Sequence, residues 1–258
     1  MSFPTTQWSL IARATRDGGA DGRDALAELC RRYHGPVLAY IRTKVPVRED
    51  AEDLTQEMFR QMLEKRSWRR ADEARGQFRG YLRAIAANAV RNWWKMRGTG
   101  KRGGGRTVHS LDLLAEAGWE PAAPDDGADL MFDREWALTV LAVAFRQLEG
   151  AAAVSPDKSA RFAFLRRFLP GSEAPPTYAA AAAALETSVD NVKTLIHRLR
   201  DDFRAAVLRV ISDTVLSPGE VAGEMEHLGA VMTAGHVPAP PRAADFSQPS
   251  AADGLSTE

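Results

Sequence analysis

Asp53, Gln56 and Glu57 sit at helical spacing in the run Arg48-Glu49-Asp50-Ala51-Glu52-Asp53-Leu54-Thr55-Gln56-Glu57-Met58-Phe59. With Glu52, Arg60 and Gln61 they form the polar face of one amphipathic helix. The opposite face is Ala51, Leu54, Thr55, Met58, Phe59, Met62 and Leu63, a stripe recurring at steps of three and four. Acidic side chains early in a helix are favoured by its dipole, so charge alone describes a well-started, solvated helix. The next segment adds a second chemistry. Between Arg60 and Arg106 there are 14 Lys and Arg against 3 Asp and Glu, interleaved with Trp68, Phe78, Tyr81, Trp93 and Trp94. Cations neutralise phosphates and release counterions, and exposed rings give unstacked bases a surface to stack on.

Catalytic and metal chemistry lack their parts. The five histidines, His34, His109, His197, His227 and His236, show no ligand spacing with one another or with Cys30. Cys30 is the only cysteine, so no internal disulfide can form, and it falls in an apolar helical pattern with Leu26, Leu29 and Tyr33. The run Lys101-Arg102-Gly103-Gly104-Gly105-Arg106 lacks the Gly-Lys-Ser/Thr ending and preceding strand of a phosphate-cradling loop. With no nucleophile–base constellation either, no metal, no cofactor and no enzymatic activity are expected. The chain has 258 residues, 26% charged and 45% hydrophobic, enough for two small domains with their own cores. Its formal net charge of +0 hides segregation: residues 1–107 carry 22 Lys and Arg against 12 Asp and Glu, and the remainder carries 12 against 22. A nucleic-acid-facing half is thus followed by a half that repels nucleic acid or binds basic surfaces. No basic segment leads into an apolar run at the N-terminus, and the longest apolar stretch, residues 178–185, is too short to span a bilayer. A cytoplasmic protein without membrane insertion is expected.

The periodicity predicts an all-α chain. A short helix over residues 5–14 precedes a second over 23–45, striped by Leu26, Leu29, Cys30, Tyr33, Val37, Leu38 and Ile41, which Gly35-Pro36 should kink or interrupt. The acidic helix spans 48–65. After a basic loop, a fourth helix spans 76–97, with Phe78, Leu82, Ile85, Ala86, Ala89, Val90 and Trp93 inward and Arg79, Arg83, Asn88, Arg91, Asn92 and Lys95 outward. These elements make a first domain, residues 1–97, and the Gly-, Pro- and Asp-rich residues 98–128 read as a flexible linker. A second domain, residues 129–215, opens with a buried helix over 129–149, then a helix started by Ser155-Pro156 and running to Leu169. It closes on residues 177–185 and 188–214, a helix, short turn and longer helix in the helix-turn-helix pattern, with Ser188 as N-cap. The six alanines 179–184 fit a tightly packed first helix. The longer helix buries Val189, Val192, Leu195, Ile196, Leu199, Phe203, Val207 and Ile211. Residues 216–258 are expected to hold a short helix to about Met232, opened by Ser217-Pro218-Gly219-Glu220, and then a disordered acidic tail.

Three motifs in this order resemble the bacterial RNA polymerase sigma factors of the extracytoplasmic-function (ECF) group. They are Asp50 to Phe59 as quoted, Phe78-Arg79-Gly80-Tyr81-Leu82-Arg83-Ala84-Ile85-Ala86-Ala87-Asn88, and Val192-Lys193-Thr194-Leu195-Ile196-His197-Arg198-Leu199-Arg200. The resemblance covers residues 25–215, and the tail after it looks like the C-terminal extension of a subgroup. It implies a transcription initiation factor that binds core RNA polymerase and promoter DNA and helps melt it. An anti-sigma protein is a further candidate partner. Asp53, Gln56 and Glu57 then match the face that docks on the polymerase clamp. Arg66, Trp68, Arg69, Arg70, Arg75, Arg79, Arg83 and Asn88 match the part that melts the minus-ten element, with Trp68 either stacking on DNA or filling the core. Asn191, Lys193 and Thr194 match base-facing positions of the minus-thirty-five recognition helix. His197 there is a phosphate contact, while Arg198 and Arg200 touch phosphate or base. Two positions depart from the family: Glu186 replaces the glycine common in the turn, and Leu195 stands where many members carry a basic residue. The alternative reading is a helix-turn-helix regulator that never enters polymerase, which would need neither the acidic motif nor the basic melting loop.

The tail leaves two readings open. Residues 210–258 hold Arg242 against seven acidic residues, with Val221, Met225, Leu228 and Val231 or Met232 at helical spacing. Such a segment either packs on a domain and shields basic residues, or serves as a passive solubilising end.

Overall fold

The computed structural model describes residues 20–64, 78–100, 126–170, 172, 174–213, 215 and 219–234. Every element among them is helical: α1 (Ala20–Arg42), α2 (Arg48–Glu64), α3 (Phe78–Gly100), α4 (Asp126–Ala152), α5 (Pro156–Leu165), a 3-10 turn (Arg166–Phe168), α6 (Tyr178–Ala184), α7 (Val189–Ser212) and α8 (Glu220–Ala234). The predicted helix over 5–14 and everything after Ala234 lie outside the described residues. Two compact units result. One takes the described residues up to Thr139 together with Leu208 onward; the other takes 140–207. The helices α4 and α7 each contribute residues to both.

In the first unit α1, α2 and α3 pack on one another. Leu29, Tyr33, Val37 and Ile41 meet Ala51, Met58, Phe59 and Met62 and the α3 stripe of Phe78, Leu82, Ile85 and Ala86, all buried. The Phe78 ring lies edge-on to Tyr33 at 5.3 Å between centroids, a favourable aromatic geometry. Thr55 can be buried within the acidic helix because its hydroxyl donates to the Ala51 carbonyl at 2.7 Å. Leu63, at the end of the predicted stripe, is exposed instead. Helix α1 is not interrupted at Gly35-Pro36 but runs through Pro36. Tyr33 and Val37, on either side of the proline, belong to one buried stripe, and that shared packing holds both halves of the helix against the loss of a backbone bond. Cys30 is half-buried on the same helix, and burial pushes its thiol up to about 11, in keeping with a core role.

The expected linker is shorter at both ends, since α3 continues to Gly100 and α4 begins at Asp126. Helix α4 is apolar on nearly all sides, with Phe132, Trp136, Ala137, Val140, Leu141, Ala144 and Phe145 buried. Of these, the residues from Ala128 to Thr139 group with the first unit.

The second unit is built on Phe145 against Phe203 at 4.8 Å and on a cluster of Leu165, Phe168, Ala181, Ala182, Val192 and Ile196, with Leu195 and Leu199 packed on its margin. Ser155 caps α5 as expected, accepting from the Lys158 amide, and Pro156 takes the first helical position. Beyond Leu165 the predicted helix tightens into the 3-10 turn rather than continuing to Leu169. Only Ala181 and Ala182 of the alanine run are buried. Thr177 caps α6 through the Ala180 amide, and Ser188 accepts from the Asn191 amide at the start of α7. Between them Glu186 takes φ of +49°, the left-handed region that glycine enters without steric cost. There its amide donates to the Ala183 carbonyl and the Thr187 amide to Ala182, the paired bonds of a Schellman helix end.

Candidate nucleic-acid interface

The acidic face of α2 is intact. Asp53 and Gln56 are exposed and Glu57 is half-buried. The Glu57 carboxylate accepts from the Arg60 guanidinium and from the Gln61 amide, and the Arg60 bonds hold it below the usual carboxylate range. Arg42 and Arg48 likewise converge on Glu52, with Nη2 of Arg42 at 2.7 Å and Nε of Arg48 at 2.9 Å. The face therefore offers Asp53 and Gln56 to solvent beside a row of neutralised glutamates. A second cross-helix pair, Arg97 to Asp50, ties the end of α3 to the start of α2.

The basic face of α3 departs from expectation. Arg66, Trp68, Arg69, Arg70 and Arg75 lie outside the described residues. Asn88 is half-buried and accepts from Arg91 through its side-chain oxygen. Arg79, expected on the outer face, is buried, its side chain 6% exposed. Its Nη1 donates to Asp133 Oδ1 at 2.6 Å, and its Nη2 donates to Glu224 Oε1 at 3.1 Å. His227 Nε2 lies 2.8 Å from Arg79 Nη1 and 3.1 Å from Asp133 Oδ2. The Trp136 ring stands 5.0 Å from the guanidinium and 5.7 Å from the imidazole. Arg83 is half-buried, 3.8 Å from Asp133 and 3.9 Å from Asp129. Burial works against charge on Arg79, but Glu224 and Asp133 outweigh it and raise its pKa. Burial likewise pushes Asp133 up, yet His227, Arg79 and Arg83 together bring it below its ordinary value.

On α7 the predicted residues behave as a solvated row. Asn191, Lys193, Thr194, His197 and Arg198 are exposed. Lys193 Nζ pairs with Asp190 at 3.2 Å, His197 Nδ1 lies 2.9 Å from Asp201, Asn191 donates to the Thr187 hydroxyl at 2.8 Å, and Thr194 donates to the Asp190 carbonyl. Arg200 instead turns to the Phe168 carbonyl, at 3.3 and 3.4 Å.

Residues 29–99 match the family model of sigma-70 region 2. The match runs from inside α1 to the last turn of α3, taking in Asp53, Gln56, Glu57, Arg79, Arg83 and Asn88. It supports a sigma-70 family sigma factor, whose role is to bind core RNA polymerase and help melt promoter DNA, and that family is not an enzyme family. No curated protein and no solved structure gives a match. Among the described residues no helix is long and apolar enough to cross a membrane, and no group of His, Cys, Asp and Glu could hold a metal ion.

Around the helices that match sigma-70 region 2, the residues that sequence reasoning missed are Asp133, Trp136, Glu224 and His227. One signal was present in the tail. Glu224 stands three residues after Val221 and four before Leu228, so an acid occupies the predicted apolar stripe of α8. An acid at a core-facing position needs a buried cation, and the chain supplies Arg79.

Proposed function

We propose that the chain is a cytoplasmic sigma factor of the ECF type with a C-terminal extension. Core RNA polymerase docks on Asp53, Gln56 and Glu57. The segment from Arg66 to Asn88 engages and opens the minus-ten element, while α6, the Glu186 turn and α7 act as a helix-turn-helix on the minus-thirty-five element. Within α7, Asn191, Lys193 and Thr194 face bases, and His197, Arg198 and Arg200 grip phosphate or base. The carrying observation is that an exposed acidic face, a buried stripe and a basic third helix fall together inside the residues matching sigma-70 region 2. An anti-sigma protein is a further proposed partner.

The test is capture of core polymerase by the full chain and by a variant with Asp53, Gln56 and Glu57 all replaced by alanine. Asp53 and Gln56 are exposed, the half-buried Glu57 bonds to Arg60 and Gln61 on its own helix, and alanine is a good helix former, so the fold is unchanged by circular dichroism while capture is lost. Undiminished capture by the variant would remove the docking face from α2. Failure of the unaltered chain to bind polymerase, with specific DNA binding retained, would favour a free helix-turn-helix regulator.

A further inference from the structure

The seat of α8 on the first unit combines close charge contacts with weak mechanical support. Its buried residues are Glu224 and Leu228 alone, and Glu224 spends its carboxylate on Arg79. Gly223 and Gly229 lie inside the helix, and a Cβ at either would meet nothing within 4 Å, so neither is required for close packing. Interior glycines of that kind lower helix stability without a packing return. His227 faces contradictory demands. Its Nε2 can accept from Arg79 or donate to Asp133, but a single nitrogen cannot do both. The indole N–H of Trp136, buried in the same cluster, has no hydrogen-bond partner among the described residues. The cluster is thus closed by charge and left imperfectly satisfied, which favours an element that can leave over a permanent brace.

We propose that α8 is a built-in competitor for nucleic acid: the Glu224 carboxylate holds the Arg79 guanidinium where a nucleic-acid phosphate would otherwise bind, so that DNA engagement by this face requires α8 to be displaced. The proposal rests on the reading of Arg79 as a DNA contact. A carboxylate and a phosphate oxygen present the same charged acceptor to a guanidinium, so one occupant excludes the other. Apparent DNA affinity is then the intrinsic affinity multiplied by the fraction of molecules with α8 released.

Two opposite variants in the full chain test this, with a fluorescein-labelled, mixed-sequence single-stranded oligonucleotide as probe over a range of salt concentrations. Gly223→Ala with Gly229→Ala strengthens α8 where the space is open, and lowers affinity about tenfold through helix propensity. Glu224→Ala with Leu228→Ala removes both anchors, raises affinity about tenfold, and steepens the salt slope by about 0.7 for each phosphate newly engaged. Adding Arg79→Gln to the released variant cancels the gain, while Glu226→Ala, the same charge change on an exposed face of α8, gives none. Equal affinities and slopes for both double variants and the unaltered chain would make α8 a structural brace. A gain that survives Arg79→Gln would also overturn the clamp, since the effect would then belong to the charge of the tail. If the released variant unfolds, the glycine pair alone decides, because alanine fits at both sites. Should these shifts occur while core polymerase capture fails, the sigma reading falls and the clamp stands. Should capture succeed without the shifts, the clamp alone falls.

Discussion

Arg79 on α3 and Lys193 on α7 are both cations placed outward by helical periodicity, yet one is sealed among Asp133, Glu224, His227 and Trp136 and the other stands in solvent beside Asp190. The difference lies in what covers each helix. A third row of helix, the start of α4 and α8, lies over the basic side of α3, and its acids come from residues 54 and 145 positions away in sequence. On α7 the partners are three and four residues away, within the same helix. Local pairs of that kind hold a side chain weakly and leave it available, whereas a desolvated pair binds its members to the fold.

The largest expected consequence is on stability. Asp133→Ala takes from the buried Arg79 guanidinium the acid 2.6 Å from its Nη1, and loss of one partner from a buried ion pair costs about 3–5 kcal/mol. Urea unfolding followed by circular dichroism measures it, and a loss under about 1 kcal/mol would mean that the cluster is wetter than its geometry indicates. Acid titration sharpens the contrast through two carboxylates. The folded state lowers the pKa of Asp133, so its stabilisation is present above the ordinary carboxylate range and disappears as pH falls through the lowered value; Asp133→Ala should flatten that acid limb. Asp213 runs the other way. Burial raises its pKa despite Arg32, whose Nη1 is 3.6 Å away, too far for a hydrogen bond. Its contribution is present at low pH and is lost as pH rises through the raised value, so Asp213→Asn should be neutral or stabilising near pH 7.

These two sites also mark where the sequence was legible. Steps of three and four found the buried stripe of α2 and most of the α1 and α3 stripes, because each such helix has one apolar face. The same periodicity placed Arg79 outside, since it has no means of stating that a second layer covers the polar side. The acid of that layer was visible only as Glu224 inside an apolar stripe, and its cation had to come from a distant helix. An interruption at Pro36 was expected for a related reason and is not found: propensity describes the isolated helix, and tertiary packing overrides it. Caps at Ser155 and Ser188 were legible because they depend on residues three positions apart.

A smaller effect is expected at the turn before α7. Glu186 holds a left-handed backbone with an ordinary side chain, at a cost of about 1 kcal/mol. Glu186→Gly should recover that amount as a higher urea midpoint, while Glu186→Ala, which keeps a Cβ, should not. A gain from both would place the effect in the charge of Glu186 and not in its backbone, and the turn would cease to be a strained joint between α6 and α7.

The smallest effect on stability is the most useful for function. Lys193 and its partner Asp190 have side chains 57% and 91% exposed, and a pair that open contributes no more than about 0.5 kcal/mol. Lys193→Ala should therefore leave unfolding by urea unchanged, in direct opposition to Asp133→Ala. Lys193 lies in the second turn of α7, close to the end through which a recognition helix reads bases. If it meets DNA, Lys193→Ala weakens promoter footprinting upstream without loss of fold or of polymerase capture, and Lys193→Glu weakens it further by repelling phosphate. Arg198→Glu, one turn farther along, should lower affinity more evenly across sequences, as a phosphate contact does. A Lys193→Ala protein with unaltered stability and unaltered footprint would show that exposure on α7 is only solvation. The contrast with Arg79 would then separate a buried cation from an idle one, and no longer a held cation from an available one.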